Sequence, residues 1–505
     1  MKKRYYSRKV NVGDVTLGGD TPVLIQSMTN TAAGDTVATV NQITALVNRG
    51  CDIVRVAVPT LKDAGNLKTI KQELHKKGIN VPLVADVHYS VSVAERAAHF
   101  VEKVRINPGN YLSDKSKEHY SDNDFKEARR QIFENIQPLL KICKKHNTAL
   151  RIGVNLGSLS KRILYRYGDT AKGMVASALE FIEILQESGF DQFTLSLKAS
   201  NVRIMQEANV MLVKEMIERD TFFPLHLGVT EAGAGTDARI KSAAGIGALL
   251  KLGIGDTIRV SLTENPENEI PVAKMLLPFA QNKGVNPDEL NNLKFGAVNT
   301  NNEITRITGH SKPLVISKTE NKKADLILNN NKLTVVNNNK SIAVKDLTIA
   351  AIESNETGYE KFLINSGVNL AYEFITRQPR AVFIKNPHFS DLELSKLSLD
   401  ILQGLGLRYT KTEYIACPSC GRTQFNIEEQ LKKVKEKTAR YKSLKIAVMG
   451  CVINGPGEMA GADYGYVGSG KDKVTLYKAG KVVKRNIPVE NAAQQLRALI
   501  ETEMK

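Results

Sequence analysis

The feature that most constrains the fold is a series of short apolar runs between residues 20 and 280. Runs rich in Val, Ile and Leu alternate with helical patterns at intervals of roughly 30 residues, which is typical of repeated βα units and a parallel sheet. Such runs predict eight strands, at 23–28, 52–57, 82–87, 101–106, 149–154, 192–197, 224–229 and 256–261. Eight strands indicate a closed (β/α)8 barrel of the TIM type, which carries its chemistry at the carboxyl ends of its strands.

Polar side chains stand at the ends of nearly all of these runs. Scattered surface charges would explain one or two such positions, but not a polar group at almost every strand end. Because the parallel strands of a barrel finish at one mouth, we expect these groups to surround a single site. They are Arg55, Asp86, His88, Arg105, Asn107, Arg151, Asn155, Lys198, Thr230, Glu231, Arg259 and Ser261.

The last hundred residues contain a C-x-x-C pair, Cys417 and Cys420, and a third cysteine, Cys451, that a Gly-Pro-Gly turn separates from Glu458. Three converging thiolates suit an iron-sulfur cluster, zinc or copper(I). No histidine follows His388, so this region cannot complete a Cys3His zinc site, and carboxylate is the nearest fourth ligand. The ligand set favours a redox cluster, and a structural zinc site that uses Glu458 or a stray thiol stays open as the alternative.

Composition indicates an ordinary globular protein. A chain of 505 residues predicts two to four domains. Five cysteines, three of them committed to one centre, leave no disulfide framework, which indicates a reducing compartment. The basic start MKKRYYSRKVNVGDV precedes no apolar run, and no run is long enough to span a bilayer. We therefore expect a cytoplasmic protein with no membrane partner.

The charge balance leaves other functions open. The chain has 70 Lys+Arg against 53 Asp+Glu, a net charge of +17, which would favour any polyanion. One alternative is therefore a basic nucleic-acid-binding protein with a structural zinc, which predicts a colourless protein and salt-sensitive binding. Another is a barrel enzyme of ordinary acid-base chemistry whose metal domain only stabilises it.

The sequence pattern changes between residues 281 and 394. The segment 326–344 alternates apolar runs with Asn-rich turns, which predicts a small antiparallel meander, and a helix is predicted near 357–376. This region carries no motif with assignable chemistry. We expect it to be an inserted spacer or scaffold rather than a second active site.

The remaining residues, 395–505, predict an α+β domain. Helical patterns in SLDILQGLGL and IEEQLKKVKEKTARYKS precede a strand in KIAVMG. A hairpin in KVTLYKAGKVVKRN turns at Ala479-Gly480, and a last helix starts near Val489. The Gly-Pro-Gly turn allows tight backbone conformations, so the loop can present Cys451 and Glu458 to one centre.

The strings IACPSCGRTQFN and MGCVINGPGE resemble the cluster-binding segments of the 4-hydroxy-3-methylbut-2-enyl diphosphate synthase family. The similarity continues through VLIQSMTNT, DIVRVAVPT, PLVADVHYS, RINPGN, RIGVNLGSL, FTLSLKAS, PLHLGVTEAGAG and GIGDTIRVSL. It covers roughly the first 275 and last 110 residues. The chain is similar to the family's long form with an inserted middle domain, although its insert is shorter.

The resemblance implies a barrel, an insert and a C-terminal iron-sulfur domain similar to those of sulfite and nitrite reductases. It implies one 4Fe-4S cluster on Cys417, Cys420, Cys451 and Glu458. The implied reaction is a two-electron reductive ring opening of 2-C-methyl-D-erythritol 2,4-cyclodiphosphate in the methylerythritol phosphate pathway of isoprenoid biosynthesis. Reduced ferredoxin or flavodoxin would be the electron donor, and the protein would act as a monomer or a homodimer.

The resemblance also implies roles for residues at the barrel mouth. Guanidinium forks and ammonium groups bind phosphate oxygens, and the expected diphosphate cradle is Arg55, Arg105, Arg151, Lys198 and Arg259. Asn107, Asn155 and Ser261 would add neutral donors, and Asn454 would point at the substrate. Glu231 and His88 are the candidate acids or positioning groups, and Glu458 is the displaceable cluster ligand. His226, Cys51 and Cys143 are interpreted as packed residues without a catalytic role.

Overall fold

The structure is a computed structural model that describes residues 5–88, 90–112, 117–281, 284–308, 310–329, 332–336, 340–452, 455–459 and 461–503. A barrel, a middle region and a C-terminal region follow one another along the chain. Within these ranges, every helix is too short or too polar to span a lipid bilayer.

A short antiparallel hairpin opens the described chain, formed by β1 (Val10–Val12) and β2 (Val15–Leu17). Its apolar side chains pack against Ile53, Val84 and Ala149, which lie at the beginnings of three barrel strands. The hairpin therefore closes the end of the barrel opposite the strand carboxyl ends.

All eight predicted barrel strands are present and parallel. The sheet runs in the order β8-β7-β6-β5-β4-β3-β10-β9, and a parallel bridge between Leu195 and Leu225 joins its two ends. The prediction of an eight-stranded barrel is thus confirmed. The strands are β3 (Leu24–Met28), β4 (Ile53–Ala57), β5 (Leu83–Asp86), β6 (Lys103–Ile106), β7 (Ala149–Asn155), β8 (Phe193–Lys198), β9 (His226–Leu227) and β10 (Thr257–Ile258).

Helices follow the strands and cover the outside of the barrel. Several begin at a residue whose side chain accepts a backbone N–H of the first turn, as Thr60, Thr170 and Asn201 do, which supplies orphan donors with partners. The helices are α1 (Thr36–Asn48), α2 (Leu61–Lys76), α3 (Val91–Ala98), α4 (Asp122–His146), α5 (Lys161–Tyr167), α6 (Ala171–Glu187), α7 (Val202–Glu218), α8 (Gly235–Ser242), α9 (Ala248–Lys251) and α10 (Glu269–Leu276).

The middle region combines a sheet with helices that pack on the barrel. The sheet order is β14-β13-β12-β11-β16-β15, and the antiparallel β12-β13-β14 part confirms the predicted meander. Its elements are α11 (Pro287–Asn291), α12 (Asn302–Thr308), β11 (Leu314–Ser317), β12 (Leu326–Asn329), β13 (Lys332–Val335), β14 (Ser341–Ala343), β15 (Ile349–Glu353), α13 (Tyr359–Thr376), β16 (Ala381–Lys385) and α14 (Asp391–Gly404).

Helix α13 confirms the helix predicted near 357–376, and its buried side chains belong to the same apolar core as the barrel. It packs beside the π-helical turn Ala243–Gly247, which lies between α8 and α9. Helix α14 crosses the predicted domain boundary at 394 and packs against β11, β16 and α8. The middle region is therefore attached to the barrel along two helices.

The C-terminal region is a five-stranded sheet with helices, in the order β17-β18-β19-β20-β21. The predicted hairpin forms between β20 and β21, and both Ala479 and Gly480 at its turn have positive φ, as tight hairpin turns require. The elements are β17 (Glu413–Ala416), α15 (Ile427–Thr438), β18 (Lys445–Met449), α16 (Gly455–Glu458), β19 (Tyr464–Gly470), β20 (Lys473–Lys478), β21 (Lys481–Pro488) and α17 (Val489–Glu503).

The C-terminal region lies over the mouth of the barrel of its own chain. A parallel bridge joins Ala416 to Ala232, and the Ala416 amide donates to the Glu231 carbonyl at 3.2 Å. The backbones of Gly157 and Gly457 approach so closely that a Cβ added to Gly157 would lie 2.3 Å from the Gly457 carbonyl oxygen. One chain therefore supplies both walls of the space at the mouth.

Candidate active site at the barrel mouth

A cavity of about 90 Å³ lies between the strand ends and the C-terminal region. The barrel contributes Met28, Arg55, Asp86, Arg105, Arg151, Asn155, Lys198, Thr230, Glu231, Arg259 and Ser261 to its wall, and the C-terminal region contributes Cys417, Pro418, Cys420, Arg422, Met449, Cys451 and Gly455. The structure thus brings the predicted cations and the three predicted thiols to one space.

Positive charge dominates this cavity. Among the described residues that line it, six are cationic and two are carboxylic acids, an excess of four. Because a buried charge without a counter-charge is costly, the wall is complementary to an anion with several negative charges. The six cations are Arg55, Arg105, Arg151, Lys198, Arg259 and Arg422, and the acids are Asp86 and Glu231.

Some of these cations are held by protein carboxylates. Arg259 makes a two-point contact with the Glu269 carboxylate, at 3.2 and 3.0 Å. Arg105 lies 3.4 Å from Asp86 and donates to the Gly153 carbonyl at 2.9 Å. Burial alone would raise the pKa of Asp86, but the neighbouring guanidinium groups outweigh it and hold that pKa well below its ordinary value. These pairs fix the geometry of the wall.

Arg151 and Lys198 have donors to spare. Arg151 is 1% exposed and donates through Nη1 to Ser196 at 2.7 Å, while its Nε and Nη2 find no partner among the described residues. Lys198 Nζ lies 3.1 Å from His226 Nε2, in room left by Gly228, where a Cβ would be 2.6 Å from Nζ. Burial, followed by neighbouring cations, lowers the pKa of both side chains, so an arriving anion would stabilise their charged forms.

Three of the predicted site residues in the described ranges do not line the cavity, namely His88, Asn107 and Glu458. His88 accepts a hydrogen bond at Nδ1 from Arg105 at 2.7 Å, and burial together with Arg105 lowers its pKa to about 3. Its imidazole is neutral at neutral pH and positions Arg105. The Asn107 amide contacts Ser158 Oγ at 3.0 Å and accepts from the Gly109 amide, so it holds the loop after β6.

Glu231 and Glu458 meet across the domain contact. Glu458 Oε1 accepts from Asn155 Nδ2 at 2.9 Å, and its Oε2 lies 3.4 Å from Thr230 Oγ1. The Glu231 carboxyl hydrogen-bonds that of Glu458, and burial followed by the Glu458 charge raises the pKa of Glu231 well above its usual range. Burial and the Glu458 charge therefore favour the protonated form of Glu231. Asn454, predicted to face the substrate, lies outside the described residues.

The backbone of Glu231 is also unusual. Its φ is +48°, a left-handed conformation that costs a residue other than glycine about 1–3 kcal/mol. The carbonyl of the same residue accepts the Ala416 amide. Strain of this kind persists where the surrounding structure imposes it, commonly at functional sites, and here it belongs to a residue that lines the cavity.

The three thiols face the cations from the opposite wall. Cys417 accepts the Gly450 amide at 3.2 Å, and burial raises the pKa of its thiol well above the ordinary value, with Cys420 and Cys451 contributing. In the described part of the chain, no three His, Cys, Asp or Glu side chains are arranged around a single metal ion. The thiols nevertheless share one cavity, and a set of converging thiolates is a donor set that fits an iron-sulfur cluster.

Two further residues belong to this region. The sequence motifs predict no role for Arg422, although it follows Cys420 by two residues and lines the cavity. Lys103 is 0% exposed and its Nζ has no partner among the described residues; burial, followed by Arg151, lowers its pKa to about 7. Side chains two positions apart on a strand point to the same face. The spacing of Lys103 and Arg105 therefore indicates that Lys103 points into the barrel interior on the same side as Arg105.

Comparison with known proteins agrees with this arrangement. The family model described as the GcpE TIM-barrel domain matches residues 7–274, and that of the GcpE protein C-terminal domain matches residues 413–502. Both matched segments contribute to the cavity wall.

The chain is also similar to full-length relatives. The chain is 37% identical to a protein of Leptospira interrogans over 99% of this chain and 96% of the relative. It is 37% identical to a protein of Porphyromonas gingivalis, over 99% and 97%, and 38% identical to one of Bacteroides fragilis strain YCH46, over 98% and 96%. All three are named 4-hydroxy-3-methylbut-2-en-1-yl diphosphate synthase (flavodoxin). The chain therefore belongs to the GcpE family, the family of these diphosphate synthases.

Proposed function

We propose that the protein is an iron-sulfur oxidoreductase that opens the ring of 2-C-methyl-D-erythritol 2,4-cyclodiphosphate to give 4-hydroxy-3-methylbut-2-enyl diphosphate. The observation that carries this proposal is a single cavity with an excess of cations on one wall and three cysteines on the other. The names of the full-length relatives support it. They give no support to the nucleic-acid-binding alternative.

The reaction has three physical requirements. A carbon-oxygen bond of the cyclic diphosphate breaks, two electrons enter, and a hydroxyl leaves as water after it takes up a proton. The site must therefore bind a diphosphate, bring an electron donor close to the bond that breaks, and hold a proton. When bound, the cluster would supply the electrons one at a time.

Arg151 and Lys198 are proposed to bind the diphosphate first, because Arg151 Nε and Nη2 have no partner among the described residues and Lys198 Nζ has three donor hydrogens beside a single contact with His226. Arg55 would join them, since its described contacts are with the weak acceptor Met28 Sδ, at 3.0 and 2.9 Å. Arg105 and Arg259 would add charge from fixed positions, and Asn155 and Ser261 neutral donors. Guanidinium groups in such an arrangement select a doubly charged oxygen-rich anion over a neutral polyol.

Glu231 is proposed to hold the proton. Its carboxyl is buried in the wall, and burial followed by the Glu458 charge raises its pKa well above the ordinary value, which favours the protonated form. A buried, protonated carboxyl beside the cavity suits general acid catalysis. His88 is proposed to act through Arg105 rather than on the substrate.

Cys417, Cys420, Cys451 and Glu458 are proposed to hold one 4Fe-4S cluster. Thiolates are the ligands that such clusters prefer, and the structure joins none of the five described cysteines in a disulfide bond, as suits a reducing compartment such as the cytoplasm. The Glu458 side chain already reaches Asn155 and Thr230. A carboxylate there is a harder and more easily displaced ligand than a fourth thiolate.

Anaerobic reconstitution with iron and sulfide tests this proposal directly. A broad brown absorbance band and turnover of the cyclic diphosphate with a chemical reductant are expected. A protein that stays colourless after careful reconstitution, or that binds a cluster but never consumes the cyclic diphosphate, would contradict the proposed function.

We expect Glu458→Cys to keep a cluster and lose most of its turnover, by about tenfold or more, because a fourth thiolate would not yield its place on iron. Absorbance and iron content report the cluster, and product formation with a chemical reductant reports turnover. Glu490→Cys, on an exposed position of α17, is the matched control and should behave as the parent protein. Full activity of Glu458→Cys would remove the argument for a displaceable ligand.

Gly157→Ala is expected to hinder closure of the C-terminal region on the barrel, because the new methyl group would overlap the Gly457 backbone. Overpacking of this kind costs about 1–3 kcal/mol, which corresponds to a loss of about 5- to 160-fold in kcat/KM. Gly65→Ala, where an added Cβ meets nothing within 4 Å, is the control. Unchanged kinetics for Gly157→Ala would show that the contact is dispensable.

Flavodoxin is proposed as the electron donor, because the full-length relatives carry it in their names. The net charge of +17 would favour an acidic partner.

Residues 1–280 are proposed as the substrate-binding barrel, 281–394 as a spacer and 395–505 as the cluster domain. Since one chain supplies both walls, we propose that a monomer is sufficient; inactivity of a monomer isolated by size-exclusion chromatography would contradict this.

A further inference from the structure

None of the residue roles proposed above includes Arg422. It belongs to the C-terminal region, lines the same cavity as the three cysteines and has a side chain only 9% exposed. Its Nη2 lies 3.2 Å from Oδ2 of Asp86, a residue at the end of a barrel strand. A single side chain therefore links the C-terminal region to the barrel mouth.

The same guanidinium shares the cavity wall with two proposed cluster ligands. Arg422 follows Cys420 by two residues and lines the same cavity as Cys420 and Cys451, and the charges of both sulfurs raise the pKa of its guanidinium. On its other side, Asp86 is held by Arg105 at 3.4 Å and attracts Arg55. The planar guanidinium thus lies between the thiols of the cluster site and a carboxylate of the anion cradle.

Such a contact has a defined physical consequence. Hydrogen bonds to ligand sulfurs, and charges around them, set the reduction potential of an iron-sulfur centre. A cationic N–H donor stabilises the reduced form more than the oxidised form, because the reduced centre carries one more negative charge. Arginine suits this task better than lysine, since its fixed fork of donors serves two acceptors at once.

We propose that Arg422 is a positioning residue that raises the reduction potential of the bound cluster by donating a hydrogen bond to Cys420, and that Asp86 keeps it in place when the C-terminal region is closed on the barrel. The inference rests on the proposed function, because it requires a cluster on Cys420. According to this inference, the contact between the C-terminal region and the barrel helps to set the reduction potential of the cluster.

The test is an anaerobic redox titration of the reconstituted full-length protein, with the midpoint potential read from absorbance or from the electron paramagnetic resonance signal of the reduced cluster. Arg422→Gln is expected to lower the midpoint potential enough for a tenfold smaller ratio of reduced to oxidised cluster, about 59 mV for one electron. Arg422→Lys, which keeps the charge but not the fork, should shift it in the same direction by less.

Arg440→Gln removes the same charge from the same region, at an exposed site paired with Glu501, and should leave the potential unchanged. A structural role alone would lower cluster content or thermal stability without moving the potential. Parental potentials in Arg422→Gln and Arg422→Lys would overturn the inference, and Arg422→Lys decides the matter if the glutamine variant does not assemble. Failure of the parent protein to take up a cluster would instead overturn the proposed function.

Discussion

Replacing Cys451 by serine is expected to abolish the visible absorbance of the reconstituted protein and its reductive turnover. Cys451 is the thiol that reaches the cavity from a loop separate from the Cys417–Cys420 loop, so its loss leaves two sulfurs on one side of the centre. A serine oxygen is a poor substitute for a thiolate on an iron-sulfur cluster. Iron and sulfide content, the absorbance spectrum and product formation measure the effect.

Cys143→Ala provides the control for this experiment. Cys143 is a buried thiol on α4, far from the cavity wall in the fold, and burial raises its pKa to about 12, so it remains a protonated core residue. Its replacement removes a cysteine without removing a proposed ligand and should leave the cluster and the turnover in place. A Cys451→Ser protein with full iron content would contradict the proposed ligand set.

The second large effect is expected for Glu231→Gln. Glutamine keeps the shape and a hydrogen-bonding group but cannot transfer a proton, so kcat should fall by about 10²- to 10⁴-fold. The Michaelis constant and the cluster content should change little, because the cations and thiols of the wall are untouched. Steady-state kinetics with a chemical reductant, together with the absorbance spectrum, separate these quantities.

Glu218→Gln, at an exposed position at the end of α7, removes one carboxylate of the barrel outside the site. It should turn over at the parental rate. If Glu231→Gln also retains its rate within a few fold, the proton must come from another group, and the strained backbone of Glu231 would then serve only the contact with Ala416.

The barrel could be predicted because the sequence pattern of each strand is local. Each strand is an apolar run of a few residues, and the eight predicted runs overlap the eight observed strands from Leu24–Met28 to Thr257–Ile258. The hairpin at Ala479-Gly480 was equally predictable, because the turn residues and the flanking alternation lie side by side in the chain. The cations and thiols of the site followed from the strand ends and from the cysteine spacing.

Other parts of the site depend on contacts that no local pattern records. His88 and Asn107 follow strands as the other predicted residues do, yet one supports Arg105 and the other holds a loop. Arg422 reaches Asp86 across 336 residues of sequence. Closure of the C-terminal region on its own barrel depends on packing between distant segments, including the approach of Gly157 to Gly457. Hydrophobic periodicity reports only local structure and cannot predict such packing.

The covering of the barrel mouth by the same polypeptide has a consequence for how the two halves of the site meet. Their encounter is intramolecular: the middle region is fixed to the barrel through α13 and α14, and the short segment between α14 and β17 is the tether of the C-terminal region. The effective concentration of one half at the other is then set by the length and stiffness of that tether, in the millimolar range for short connections. Dilution of the enzyme in the cell would leave it unchanged.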